Sequence, residues 1–317
     1  MAVVAFLTGL VVSLVLGRWM IWLGPRLGIV DHPDDHLKPH SGSPVPLGGV
    51  AVLVGAIAGL VVANVLETGL LASVLVVWLI GLVDDIRGLS PVIRLLGALA
   101  AGVLLVTLGE SPIEPALAVF WVVAVVVVVN GINLFDGLDA LAGSVSTVAI
   151  VGMGWFGVTQ GAIDPWIVLG IAGALLGFLV WNRPPARLYL GDNGAYVVGV
   201  LAVWAAMWGS TDRMGSVVAV GLIGLPLVDL GVTLFRRGLS GSPFFSGDRD
   251  HTYDRLRQRG LSDARVVAMF VVAQTIWVLL LVGASGLWGD LIAAIIALVV
   301  GLSLAVVLGV GSTLAEG

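Results

Sequence analysis

The sequence contains no cysteine. This excludes a disulfide framework, a thiolate metal site and a cysteine nucleophile. Charge is scarce as well. Asp, Glu, Lys and Arg make up 11% of the 317 residues, against about 25% in soluble globular domains. The formal net charge of −5 is small and dispersed, which argues against nucleic-acid binding. There are 44 glycines but no G-X-Y period, so a collagen-like chain is excluded. Apolar residues are in excess, at 59% of the chain with a mean hydropathy of +1.10. That balance defines an integral membrane protein of the helical type.

A spanning helix needs roughly 20 apolar residues. Eleven stretches qualify as candidates, near 2–23, 48–66, 70–83, 93–108, 114–130, 138–158, 166–181, 193–209, 215–235, 266–285 and 290–311. The third is short. The first apolar run begins at residue 2 with no basic segment before it, so it reads as a span rather than a cleavable signal. Loops after odd-numbered spans hold thirteen Lys and Arg residues, from Arg26 and Lys38 to Arg265. Loops on the other side hold only Arg213. The positive-inside rule makes the first side cytoplasmic. The expected fold is all-α: a polytopic bundle of about eleven transmembrane helices, N-terminus outside, C-terminus cytoplasmic. Residues 1–317 form a single domain in the cell membrane, without internal repeats. The two long connections, 24–47 and 236–265, lie on the cytoplasmic side, where long loops tend to carry function.

Carboxylates at a bilayer boundary are costly and usually functional. The cytoplasmic side collects Asp84, Asp85, Asp136, Asp139, Asp192 and Asp229. The acids of the other side (Glu67, Glu110, Glu114, Asp164, Asp212 and Asp290) read as solvated turn residues. Asp84 and Asp85 close an apolar helix at its C-terminal end, where the macrodipole disfavours negative charge. A cation should compensate, either Arg87 or a metal. Asn133 or Asp136 would suit as the N-cap of the sixth span. One cap does not explain two Asn and two Asp within Asn130–Ala142. If that stretch is helical, Asp136 and Asp139 share a face. Asp192 suits as the N-cap of the eighth span, and a carboxylate there can also hold a metal whose other ligands are phosphate oxygens. Arg249 and His251 lie near an apolar turn, within reach of a polyanion. The arginines of 255–259 read as a basic loop obeying the positive-inside rule. Lys38 and His40 stand in the other long loop. Carboxylates with Lys, Arg and His on one membrane face form the inventory for a metal-bridged phosphate substrate. No Walker A loop, dinucleotide fingerprint or HExxH is present.

The motifs that carry these residues fall in a recognisable order. They are Asp31-His-Pro with Lys38, His40 and Pro44-x-Pro-x-Gly-Gly49, then Gly81-x-x-Asp-Asp85 and Asn133-Leu-x-Asp-Gly-Leu-Asp139. Gly177-Phe-x-x-x-Asn182-x-x-Pro-Ala186, Gly191-Asp-x-Gly194, Pro226-x-x-Asp229 and Asp248-Arg-x-His251 follow. In this the sequence resembles the polyprenyl-phosphate N-acetylhexosamine-1-phosphate transferases of the glycosyltransferase family 4 type, over about residues 25–260. The resemblance implies transfer of a sugar-1-phosphate from a UDP-sugar to a membrane polyprenyl phosphate, with release of UMP. It also implies a ten- or eleven-helix bundle, often a homodimer, that acts at the cytoplasmic face with Mg²⁺ or, alternatively, Mn²⁺.

By motif position, Asp84 and Asp85 resemble the acidic pair near the phosphates, one of them the candidate base. Asp192, with Asp85, resembles the metal site. Asn133, Asp136, Asp139 and Asn182 resemble residues around the nucleotide and diphosphate, with Lys38 and Arg249 as further substrate contacts. His251 matches the first His of the family's His-rich loop and is a candidate catalytic residue. Tyr253 and Asp254 stand where many members carry further His. The three consecutive His of the peptidoglycan-type branch are absent. The likeness is therefore closer to the undecaprenyl-phosphate GlcNAc-1-phosphate transferase branch, with UDP-GlcNAc the expected donor. The rival class is a secondary transporter, whose carboxylates should lie near the bilayer midplane with access to both faces.

Overall fold

The computed structural model describes residues 1–31, 43–109, 113–162, 164–241 and 250–313. Lys38, His40, Glu110 and Arg249 lie outside the described residues. The described chain is all-helical, apart from one isolated parallel bridge between Val45 and Leu188. Its α-helices are α1 (Ala2–Leu23), α2 (Gly48–Ala63), α3 (Thr68–Arg87), α4 (Pro91–Thr107), α5 (Pro115–Phe135), α6 (Leu141–Gln160) and α7 (Leu169–Asn182). The rest are α8 (Gly191–Gly209), α9 (Arg213–Gly221), α10 (Leu225–Ser240), α11 (Thr252–Gln258), α12 (Asp263–Trp288) and α13 (Asp290–Thr313). Five are long and apolar enough to cross a membrane, or six if the bent pair α9–α10 counts as one span.

Each apolar stretch found in the sequence has a helical counterpart. The short third stretch extends to twenty residues as α3, because Asp84, Asp85 and Arg87 continue the helix. The stretch 215–235 is two helices instead of one, meeting at 80°. Gly224 at φ 59 and Pro226 in the first turn of α10 make the break. The buried Gln274 of α12 closes it, donating to Leu222 O at 2.7 Å and accepting from Leu225 N at 3.1 Å. The 252–258 helix within the second long loop was not foreseen.

α8 is the axis of the bundle. From Asn193 to Ala206 each of its residues is buried, as expected of a helix apolar on all sides. Small residues let its neighbours approach closely. A methyl at Gly9 of α1 would strike the backbone of Gly170 and Ala174, and one at Gly177 would strike the backbone of α1. This small-residue packing is how apolar helices associate in lipid.

The C-terminal ends of α1, α3, α5 and α7 meet the starts of α2, α6, α8 and α12 around a cleft at one end of the bundle. The opposite end is tied by Gln160–Asp290 (3.2 Å), Trp208–Glu67 (3.1 Å) and Arg213–Glu114 (3.0 Å). Of the acids read as solvated turns, Glu67, Glu114, Asp212 and Asp290 are caps or partners, while Asp164 is exposed as expected. Glu114 caps α5 and Asp212 caps α9.

Candidate active site

The cleft has a volume of about 1080 Å³. Eight aspartates line it: Asp31, Asp84, Asp85, Asp136, Asp139, Asp192, Asp254 and Asp263. Among the described residues, Arg257 is the one cationic side chain in its wall, and it pairs with Asp263 at 2.8 Å.

α3 brings Asp84 and Asp85 to the cleft because Gly81 lets it cross α8 in backbone contact at Asp192 and Asn193. Asp84 is buried. Its Oδ1 accepts from Leu89 N at 2.6 Å, and its Oδ2 accepts from Tyr196 Oη at 3.2 Å and faces Arg94 at 3.4 Å. The compensating cation expected at the end of α3 is therefore Arg94 of α4, while Arg87 is exposed. Asp85 points the other way. Its Oδ1 accepts from Asp192 N at 2.9 Å, and its Oδ2 accepts from Asn193 N at 3.1 Å and Asn193 Nδ2 at 2.6 Å. It caps α8 from another helix and meets the positive end of that dipole.

Asp192 therefore sits inside the first turn of α8 and is not its N-cap. Its carboxyl lies beside those of Asp84 and Asp85, and its Oδ1 accepts from Asn133 Nδ2 at 2.5 Å. Asp136 ends α5, and Asp139 lies in the turn before α6. They do not share a helical face, because the helix breaks between them. Asp136 borders the cleft yet lies deep in the protein. Burial raises its pKa well above the usual carboxylate value, and Asp192, Asp85 and Asp139 add to the effect. Asp139 Oδ2 accepts from Ala186 N at 2.8 Å. Burial also raises the Tyr189 hydroxyl, which stays a neutral donor.

Asn182 borders the cleft, but its amide is engaged within the protein. It accepts from Ala140 N at 2.8 Å and donates to Leu188 O at 2.9 Å. It thereby locks the start of α6 to the loop before α8. His251 is buried outside the cleft wall. Its Nδ1 pairs with Asp229 Oδ2 at 2.7 Å, and its ring stacks on Tyr253 at 5.2 Å. Tyr253 reaches the cleft and donates to Leu134 O at 3.2 Å, packing against Gly137 in the Asp136–Asp139 turn. The structure thus gathers Asp84, Asp85, Asn133, Asp136, Asp139, Asn182 and Asp192 around one cleft, and sets His251 one residue layer behind it.

Sequence reading missed Arg94, Asn193, Tyr253 and Arg257. Arg94 carried a signal, since a cation in the first turn of α4 opposes the dipole and calls for an anionic partner.

No three acidic or His side chains among the described residues converge as a ready-made metal cage. The donors are hard carboxylate oxygens. That set fits a cation such as Mg²⁺, which takes one or two carboxylates and completes its shell with water and phosphate oxygens.

These features define a helical membrane protein with an acidic cleft at one end of the bundle. Residues 67–210 match glycosyl transferase family 4. The chain is 25% identical to the "Probable undecaprenyl-phosphate N-acetylglucosaminyl 1-phosphate transferase" of Bacillus subtilis, over 82% of this chain and 78% of that one. It is 28% identical to the decaprenyl-phosphate N-acetylglucosaminephosphotransferase of Mycobacterium tuberculosis, over 77% of this chain and 73% of that one. It is also 28% identical to the undecaprenyl-phosphate alpha-N-acetylglucosaminyl 1-phosphate transferase of Escherichia coli, over 78% and 74%. The match to glycosyl transferase family 4 covers α3 to α8 and so includes Asp84, Asp85, Asp136, Asp139 and Asp192 of the cleft.

Proposed function

We propose that this protein transfers N-acetylglucosamine 1-phosphate from UDP-GlcNAc to a membrane polyprenyl phosphate. An oxygen of the lipid phosphate attacks the β-phosphorus of the donor. The bond from that phosphorus to the bridging oxygen breaks, and UMP leaves with the oxygen. The product is a polyprenyl-diphospho-GlcNAc.

The observation that carries this reading is the charge of the cleft. Eight aspartates face a volume sized for a nucleotide sugar, with Arg257 the one described cation in its wall. Two phosphate-bearing substrates can meet there only if cations offset the repulsion. Asp192, with Asp85 beside it, would hold Mg²⁺, which supplies that neutralisation when bound. Asp84 and Asp85 orient the acceptor phosphate, and one of them takes its residual proton. That proton is present on only a fraction of the lipid near pH 7, since a phosphate monoester has its second pKa at about 6. Asp136, Asp139 and Asn133 line the donor's path. Asn182 acts by fixing the loop beneath it.

The chemistry belongs at the boundary of membrane and cytosol. Each buried CH₂ holds the lipid in the bilayer by about 0.8 kcal/mol, while the nucleotide cannot enter it. We read the cleft as cytoplasmic, the bundle as eleven spans and the N-terminus as external. The positive-inside bias supports this, as does the gathering of alternate helix ends around the cleft. A transporter site would lie near the midplane. Here the aspartates of the cleft gather at one end, and the other end is linked by one ion pair and several hydrogen bonds.

The test is UMP release from purified protein in detergent, with UDP-GlcNAc, undecaprenyl phosphate and Mg²⁺ each omitted in turn. Release that needs all three is expected. No release from folded protein with a panel of UDP-sugars and polyprenyl phosphates would sink the proposal.

A further inference from the structure

Asn193 fills the unspecified third place of Gly191-Asp-x-Gly194, and nothing in the pattern of the sequence singles it out. In the structure it is fully buried, at 0% exposure, where three motif segments cross. Its Nδ2 donates to Asp85 Oδ2 at 2.6 Å and to Pro46 O at 2.9 Å. Its backbone N donates to the same Asp85 oxygen at 3.1 Å. Its Oδ1 is packed against Gly49 with no hydrogen-bond partner, so the amide cannot be turned round without losing both donated bonds. A methyl at Gly49 would strike Asn193 Oδ1, and one at Gly81 would strike the Asn193 backbone, so α2 and α3 both close tightly on this residue.

We infer that Asn193 is a positioning residue for Asp85: it fixes the plane of that carboxylate and locks it to the start of α8 and to the Pro44–Gly49 segment. This rests on the reading of Asp85 as a working group of the transferase. A carboxylate left with only its two backbone donors still caps α8, but it loses its shortest hydrogen bond and its link through Asn193 to the Pro44–Gly49 segment. A buried acceptor with no partner costs stability. Keeping Asn193 Oδ1 orphaned fits a residue retained for its two donors rather than for packing alone.

Two variants of the full-length protein in detergent test this. Asn193→Ala deletes the side-chain donor. Asn193→Asp keeps the shape and sets a carboxylate oxygen against Asp85. For Asn193→Asp, kcat for UMP release should fall about 10- to 100-fold, the range for losing one charge-assisted hydrogen bond. KM for UDP-GlcNAc should change little. Asn193→Ala should lose less than the isosteric variant. A merely structural role predicts the reverse order, with activity following the melting temperature.

A second readout is independent of turnover. Carbodiimide labelling of Asp85, followed by mass spectrometry with Asp139 as internal reference, should rise in Asn193→Ala. If the wild-type protein releases no UMP, the transferase reading fails, and the labelling still decides the link between Asn193 and Asp85. Unchanged Asp85 labelling, or a folded Asn193→Asp variant with wild-type kcat, overturns the inference. Should Asn193→Asp not fold, Asn193→Ala decides by both readouts.

Discussion

Asp84 and Asp85 are neighbours in the chain, yet the helix turns them onto different partners. Asp84 meets Arg94 and Tyr196, while Asp85 meets the N-terminus of α8. Replacing either by Asn should cost at least about 100-fold in turnover, as for loss of a catalytic group. Asp85→Asn should also loosen α8, because an amide cannot accept on both of its atoms. Full activity in both would reduce the pair to a helix end. Asp192→Asn should abolish Mg²⁺-dependent UMP release while the protein still inserts and purifies; near-wild-type turnover would remove it from the metal site. Asp136 gives a prediction of opposite sign for stability. Its folded pKa is raised by burial and by Asp192, Asp85 and Asp139. The unfolded chain therefore ionises first, near about pH 4, and the fold loses stability as pH rises from there towards the folded pKa. Asp136→Asn should then raise the melting temperature at pH 8 without divalent cations and lower activity, separating the site's function from its stability. A melting temperature lowered by the substitution would contradict this. The acids themselves were legible in the sequence, because carboxylates among apolar runs stand out. Their partners were not. Asp85 and Asn193 are 108 residues apart, and only the crossing of α3 and α8 makes them a pair.

The break between α9 and α10 shows the same limit for elements. The run Gly221-Leu-Ile-Gly-Leu-Pro226 is apolar enough to pass a 20-residue window as one span, and composition alone hides the bend. Gly224 and Pro226 were visible, but two residues from another helix decide the outcome. Gln274 satisfies Leu222 O and Leu225 N, and Trp277 Nε1 donates to Gly221 O at 2.8 Å. Backbone groups freed inside a membrane need such partners. Gln274→Leu should therefore lower stability in detergent by about 1–3 kcal/mol, the cost of leaving buried polar groups unsatisfied. Gln274→Glu keeps an acceptor for Leu225 N and should lose less. A thermal-unfolding series on the two variants checks the order. Equal melting temperatures would mean that water, not Gln274, serves the break. The ends of the other helices were legible to within a few residues, because Pro91 and Pro115 start α4 and α5 and the apolar runs stop at charged residues.

At the scale of the whole molecule, the alternation of helix ends ties site and topology into one claim. The aspartates of the cleft and most of the described Arg fall at the helix ends that meet around it, while Glu67, Glu114, Asp212 and Asp290 with their partners lie at the other end. The absence of cysteine makes this directly testable, since every introduced thiol is the only one. Arg183 and Arg259 are exposed on the cleft side, and Thr211 is exposed at the other end. In intact cells a membrane-impermeant maleimide should label Thr211→Cys, and should reach Arg183→Cys and Arg259→Cys only after permeabilisation. If Arg183→Cys and Arg259→Cys label from opposite sides, the loops that frame the cleft cannot share a membrane face, and a site built from both fails. If both label from outside, the bundle stands but its orientation inverts. The cleft would then face away from the cytosolic pool of nucleotide sugars, and the donor reading would fall while the fold remained.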